Sequence, residues 1–64
     1  MKIIIDNRVE GLSDLMALEY VSAVVAQGKI SNDGKQYCYV TQVNDVIIYC
    51  LQNAKSFRFL MLRR

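Results

Sequence analysis

Residues 46–64 constrain this chain more than any other stretch. They hold two segments of strand-forming residues, VIIYCLQ at 46–52 and SFRFLML at 56–62, whose apolar members fall on both parities. A strand sends successive side chains to opposite faces, so a sheet made from these segments is apolar on both sides. The rest of the chain offers one good helix, and one helix covers one face. The other face needs a different cover, which points to a protein that works by contact, first with a copy of itself.

The chain has 64 residues, read here as a single domain over 1–64. Domains of this size bury only about 60% of their unfolded surface and often lean on disulfides, metals or oligomerisation. With 53% hydrophobic and 22% charged residues and no proline, the composition is that of a folded chain. If Asn44-Asp45 is a two-residue hairpin turn, Val43 faces Val46 and Cys50 faces Tyr39. Cys38 then lies on the opposite side of the sheet from Cys50, a poor geometry for a bridge, and both read as buried free thiols of a cytosolic protein. Without histidine or a C-x-x-C pair, a metal site lacks ligands, and no cofactor is expected. That leaves dimerisation as the stabilising device.

Met1-Lys2-Ile3-Ile4-Ile5 begins like a signal peptide, but Asp6, Asn7 and Arg8 end the apolar run too early. No stretch approaches the roughly 20 apolar residues of a membrane span. The expectation is a cytoplasmic protein without a membrane partner. The net charge of +2 is unevenly spread. Lys55, Arg58, Arg63 and Arg64 occupy the last third with no acid among them, whereas all the acids lie in residues 1–45. Such a basic strand fits a nucleotide or nucleic-acid surface, or else an edge strand guarded by charge against aggregation.

Ile3-Ile4-Ile5 reads as a short strand followed by a turn from Asp6 to Gly11. Ser13 is a natural N-cap and Asp14 suits the first helical turn. The helix is expected from about Asp14 to Gln27, stopping at Gly28, with Leu15, Leu18, Val21, Val24 and Val25 packed on the sheet. Glu19, Ser22 and Gln27 fall on the solvent side. Ser31-Asn32-Asp33-Gly34 is a turn, and strands are expected over 35–43, 46–51 and 56–62. The fold class is α+β, in the order β-α-β-β-β, with one helix on a mostly antiparallel sheet and the second sheet face used for dimerisation.

A second hairpin turning on Asn53-Ala54 sorts the sheet residues into two faces. Tyr39, Thr41, Val43, Val46, Ile48, Cys50, Phe57, Phe59 and Met61 share the face assigned to the helix. The opposite face collects Cys38, Gln42 and the expected dimer interface: Val40, Ile47, Tyr49, Leu51, Arg58, Leu60 and Leu62. A slip of one residue in either turn would exchange the faces, leaving the two-sided character intact.

Chemistry of the enzymatic kind has little to draw on. Without histidine, Ser-His and Cys-His nucleophile pairs are ruled out within one chain. The nearest acid pair, Asp6 with Glu10, sits in a turn, and Gly11, Gly28 and Gly34 are isolated rather than a phosphate cradle. An enzyme would need a site shared between protomers, so none is expected. Tyr49 with Arg58 could stack a nucleobase, but Tyr and Arg are also the residues most enriched in protein–protein hot spots.

The run from Ala17 to Val21 and the segment Gly28-Lys29-Ile30-Ser31-Asn32-Asp33-Gly34-Lys35-Gln36-Tyr37-Cys38-Tyr39-Val40-Thr41 resemble a family of short phage and prophage proteins of Gram-positive bacteria, with Ser56-Phe57-Arg58-Phe59 as a looser match. The resemblance covers roughly residues 15–60 and brings no catalytic set. It implies an accessory protein that binds and blocks a bacterial host defence protein, acting as a homodimer in the host cytosol. On that reading Lys29, Asn32, Lys35 and Tyr37 belong to the partner-facing surface. The alternative is a nucleotide or nucleic-acid binder that uses the basic C-terminal strand.

Overall fold

The computed structural model describes residues 2–27, 37–53 and 55–64. Its elements are β1 (Lys2–Asn7), α1 (Asp14–Ala26), β2 (Tyr37–Val43), β3 (Val46–Gln52) and β4 (Ser56–Arg63). The four strands form one sheet in the order β1-β4-β3-β2. Both hairpins are antiparallel, but β1 lies parallel to β4, with Ile3 opposite Phe57 and Ile5 opposite Phe59. The class is α+β with a mixed sheet, which corrects the expectation of a mostly antiparallel one. The cause is topological. The chain returns through α1 on one side of the sheet, so β1 and β2 run in the same direction at opposite edges, and β4 fills the place beside β1.

The turn at Asn44-Asp45 sets the first hairpin, pairing Val43 with Val46 and Cys50 with Tyr39. Asn44 takes a left-handed φ of 55°, a region asparagine tolerates better than most residues. The second hairpin differs from the sequence reading. Gln52 pairs with Phe57, so residues 53–56 form the connection rather than a two-residue turn on Asn53-Ala54. Asn53 organises that connection: its Oδ1 accepts from the amides of Lys55 and Ser56 at 2.8 and 2.9 Å. The register moves by two residues, an even number, and every side chain therefore keeps the face it was assigned.

Ser13 caps α1 as expected, its Oγ accepting from the Met16 amide at 3.2 Å, and the helix closes at Gln27. Gly28 and the turn at 31–34 lie outside the described residues. The face that α1 buries is not the one its leucines mark. Ala17, Val21 and Val24 are buried, whereas Leu15, Leu18 and Val25 are 68%, 51% and 52% exposed. The segment DLMALEYVSAVVA is apolar nearly all round, so spacing alone cannot choose a face. Ala17, Val21 and Val24 lie within one cluster with the buried residues of the sheet. Glu19, Ser22 and Gln27 are exposed, as read from the sequence.

The core lies between α1 and one sheet face: Val46, Ile48, Cys50, Phe59 and Met61 are buried beneath Ala17, Val21 and Val24. Tyr39, Val43 and Phe57 pack against it from the same face. Val9, in the β1–α1 loop, adds a plug that the sequence reading did not foresee. The Asn7 side chain holds that loop, donating to the Leu12 carbonyl at 2.8 Å and accepting from the Val9 amide at 3.0 Å. Among the described residues no helix is long and apolar enough to cross a membrane.

Candidate functional site

Among the described residues no element covers the sheet face turned away from α1. The alternation of the three paired strands places Val40 on β2, Ile47, Tyr49 and Leu51 on β3, and Arg58, Leu60 and Leu62 on β4 together on this face. These are the seven residues expected at an interface. Val40 is 50% and Leu51 39% exposed, while Ile47, Tyr49, Leu60 and Leu62 are half-buried by their own neighbours. Cys38 sits exposed at the same face, and Cys50 is buried on the other, so the two thiols are free and on opposite sides of the sheet.

The parallel pairing adds two residues that sequence reasoning missed. Ile4 stands opposite Arg58 and Asp6 opposite Leu60, which brings both onto this face. No local pattern signals this, because the pairing joins the two most distant strands of the chain. Its effect on charge is large. Arg58 donates from Nη2 to Asp6 Oδ2 at 3.0 Å, and Arg8 reaches the same carboxylate at 3.1 Å. Hydrogen bonding to Arg8 first, and to Arg58 second, holds the Asp6 carboxyl below its ordinary 3.8. The ion pair therefore persists into acid, and its contribution disappears only as pH falls through that depressed value.

Two of the four cations of the last third, Arg58 and Arg63, are matched by carboxylates from elsewhere in the fold. Arg63 makes an ion pair with Asp45 and donates to the Glu10 carbonyl at 3.0 Å. Asymmetry along the chain becomes local pairing in space. Tyr49 sits diagonal to Arg58 rather than opposite it, since Leu60 and Leu51 are their respective partners across the β3–β4 ladder. The guanidinium points toward β1 and Asp6.

At the end of this face near the β3–β4 connection lies an open hollow of about 650 Å³, lined by Ile4, Cys38, Leu51, Asn53, Ser56 and Arg58 among others. Its chemistry is mixed and shallow, with no grouping of acids and thiols that could hold a metal among the described residues. Of the residues expected at a partner surface, Lys29, Asn32 and Lys35 lie outside the described residues. Tyr37 is the first residue of β2, opposite Gln52. No known protein family matches the chain, and no curated protein or solved structure matches it either.

Proposed function

We propose that this chain is a small non-catalytic binding protein that pairs with a second copy through the open sheet face and acts by occupying a partner protein. The observation that carries this reading is the open face, uncovered among the described residues and mostly apolar across β2, β3 and β4, with Arg58 held by Asp6 of the same protomer and Lys2 at the β1 margin. A charge pair that is satisfied internally demands nothing complementary from the covering surface. A second copy presents the same apolar strip over β2 and β3, and two-fold symmetry sets strip against strip.

Size supports a modest interface. Four strands about 4.8 Å apart, with six or seven residues rising about 3.3 Å each, span roughly 19 by 21 Å. That lies below the ~800 Å² per partner of a standard interface, which suits a weak, reversible dimer. Resemblance to short phage proteins would make the occupied partner a bacterial host defence protein and the setting the host cytosol. Nucleic-acid binding loses ground because Arg58 and Arg63 already engage carboxylates, which would have to be displaced by phosphate.

Sedimentation equilibrium over the micromolar range tests the dimer. Wild type is expected to pass from monomer to dimer with rising concentration, and Leu60→Glu to stay monomeric with an unchanged circular dichroism spectrum. A wild type that remains monomeric throughout would end this reading.

A further inference from the structure

Two arginines close on the single carboxylate of Asp6. Arg8 donates from Nε to Oδ1 at 3.3 Å and from Nη2 to Oδ2 at 3.1 Å, and Arg58 donates from Nη2 to Oδ2 at 3.0 Å. Strand alternation puts them there. Asp6 stands opposite Leu60 in the parallel pair, so Arg58, two positions back on β4, reaches it along the same face. Arg8 follows Asp6 by two, and its amide donates to the Met61 carbonyl at 3.1 Å, which keeps its backbone beside β4. The two guanidiniums are therefore neighbours, drawn together by one shared oxygen.

The charges of this group do not cancel. Arg58 and Asp6 balance as a pair, and Arg8 on the same carboxylate leaves one positive charge over. Among the described residues neither guanidinium has a second carboxylate: Asp45 is taken by Arg63, and Glu10 makes no ion pair with either arginine. Lys2 lies on the same face of β1 but roughly 13 Å away by strand rise, beyond the screening distance of about 8–10 Å at ordinary salt. Each guanidinium carries five N–H donors, and Asp6 engages two nitrogens of Arg8 and one of Arg58. The other donors are spare among the described residues. With the two side chains 60% and 46% exposed, a partner can reach them.

We infer that Arg8 and Arg58, held together by Asp6, form a clamp for one carboxylate of a partner protein, an aspartate or glutamate side chain presented at the rim of the open sheet face. The incoming carboxylate sits beside Asp6 and displaces nothing. Its single negative charge neutralises the excess, so that two guanidiniums and two carboxylates alternate. A phosphate dianion would leave the group negative and press against Asp6. Arginine suits the task because its planar fork meets a carboxylate through paired N–H bonds. Asp6 already restricts the rotamers of both arginines, so less freedom is lost on binding. This rests on the reading of the chain as a binding protein and names the chemistry of its partner. It is separate from the apolar strip over β2 and β3.

The probe is a capped peptide, Gly-Ser-Glu-Ser-Gly, compared with versions carrying glutamine or phosphoserine at the centre and followed by NMR on the arginine Nε–H resonances. The glutamate peptide is expected to shift Arg8 and Arg58 together while Arg63 and Arg64 stay still. It should bind at least tenfold more tightly than the glutamine peptide and more tightly than the phosphoserine one. Arg8→Gln leaves the Asp6–Arg58 pair in place, so the fold should persist and binding weaken at least tenfold. Asp6→Asn doubles the excess charge, and the phosphoserine peptide should then overtake the glutamate one. Equal shifts at all four arginines, tighter phosphoserine binding in wild type, or full binding by Arg8→Gln would overturn the inference. Arg8 and Arg58 shifts that grow with protein concentration in the absence of peptide would also overturn it, because the carboxylate would then come from a second copy. The oligomeric state of the same samples separates the two readings. Peptide binding by a strict monomer would sink the sheet-face dimer alone, and a dimer indifferent to peptide would sink this site alone.

Discussion

Two cysteines twelve positions apart in sequence live in different worlds. Cys38 is exposed on the open face, while burial, with a smaller contribution from Cys38, pushes the Cys50 thiol from its ordinary 9.0 up to about 11. At pH 8 a disulfide-exchange reagent should therefore titrate one thiol in the native monomer and two after unfolding. The raised value also has a thermodynamic sign. Between about pH 9 and 11 the unfolded state releases the Cys50 proton and the native state keeps it, so stability falls as pH rises through this window. Chemical unfolding at pH 8 and pH 10.5 should show that decline in wild type and a smaller one in Cys50→Ala. The opposite faces of these thiols were legible in the sequence because the Asn44-Asp45 turn fixes parity for the whole β2–β3 hairpin, but the expected burial of both is corrected at Cys38, whose face no described element covers. Asp6 was not legible, since its role depends on which strand β1 chooses and that choice leaves no local mark.

The helix and the hairpins teach opposite lessons. In α1, the limits were readable from Ser13 and Asp14, because caps act within a few residues of themselves. The buried face was legible in part: Val21 and Val24 are buried as read, whereas Leu15, Leu18 and Val25 are exposed and Ala17 is buried, because a helix apolar nearly all round offers spacing no polar side to read against. Urea unfolding checks the outcome. Val24→Ala, at a site with no exposure, should cost about 2 kcal/mol. Leu18→Ala, on the exposed flank, should change stability by no more than about 0.5 kcal/mol. Ser13→Ala should cost about 1 kcal/mol through the lost cap. The order reversed for Val24 and Leu18 would mean that α1 sits rotated from the orientation described here.

At the scale of the molecule, the core lies between one helix and one sheet face, and the proposed dimer would cover the opposite face. Pairing should then stabilise the fold by mass action, so the thermal midpoint of wild type should rise with protein concentration while that of Leu60→Glu stays constant. Fluorescence-detected melting over a hundredfold dilution reads this directly, and a concentration-independent wild-type midpoint would count against the dimer. The two-faced character of the sheet was visible in residues 46–64 from the outset, because period two is robust. The parallel closure of β1 on β4 was not, since it depends on a contact between remote segments that neither composition nor spacing records.

The four-residue connection at 53–56 carries a rule about length changes. Inner and outer sides of this sheet are told apart by whether the loop is odd or even, not by how long it is. A two-residue slide of β4 along β3 would keep its apolar and core sides, though it would carry Arg58 away from Asp6 on β1. A single-residue indel would turn β4 inside out, sending Phe59 and Met61 to the outside and Arg58 into the core. Variation at this loop should therefore come in pairs.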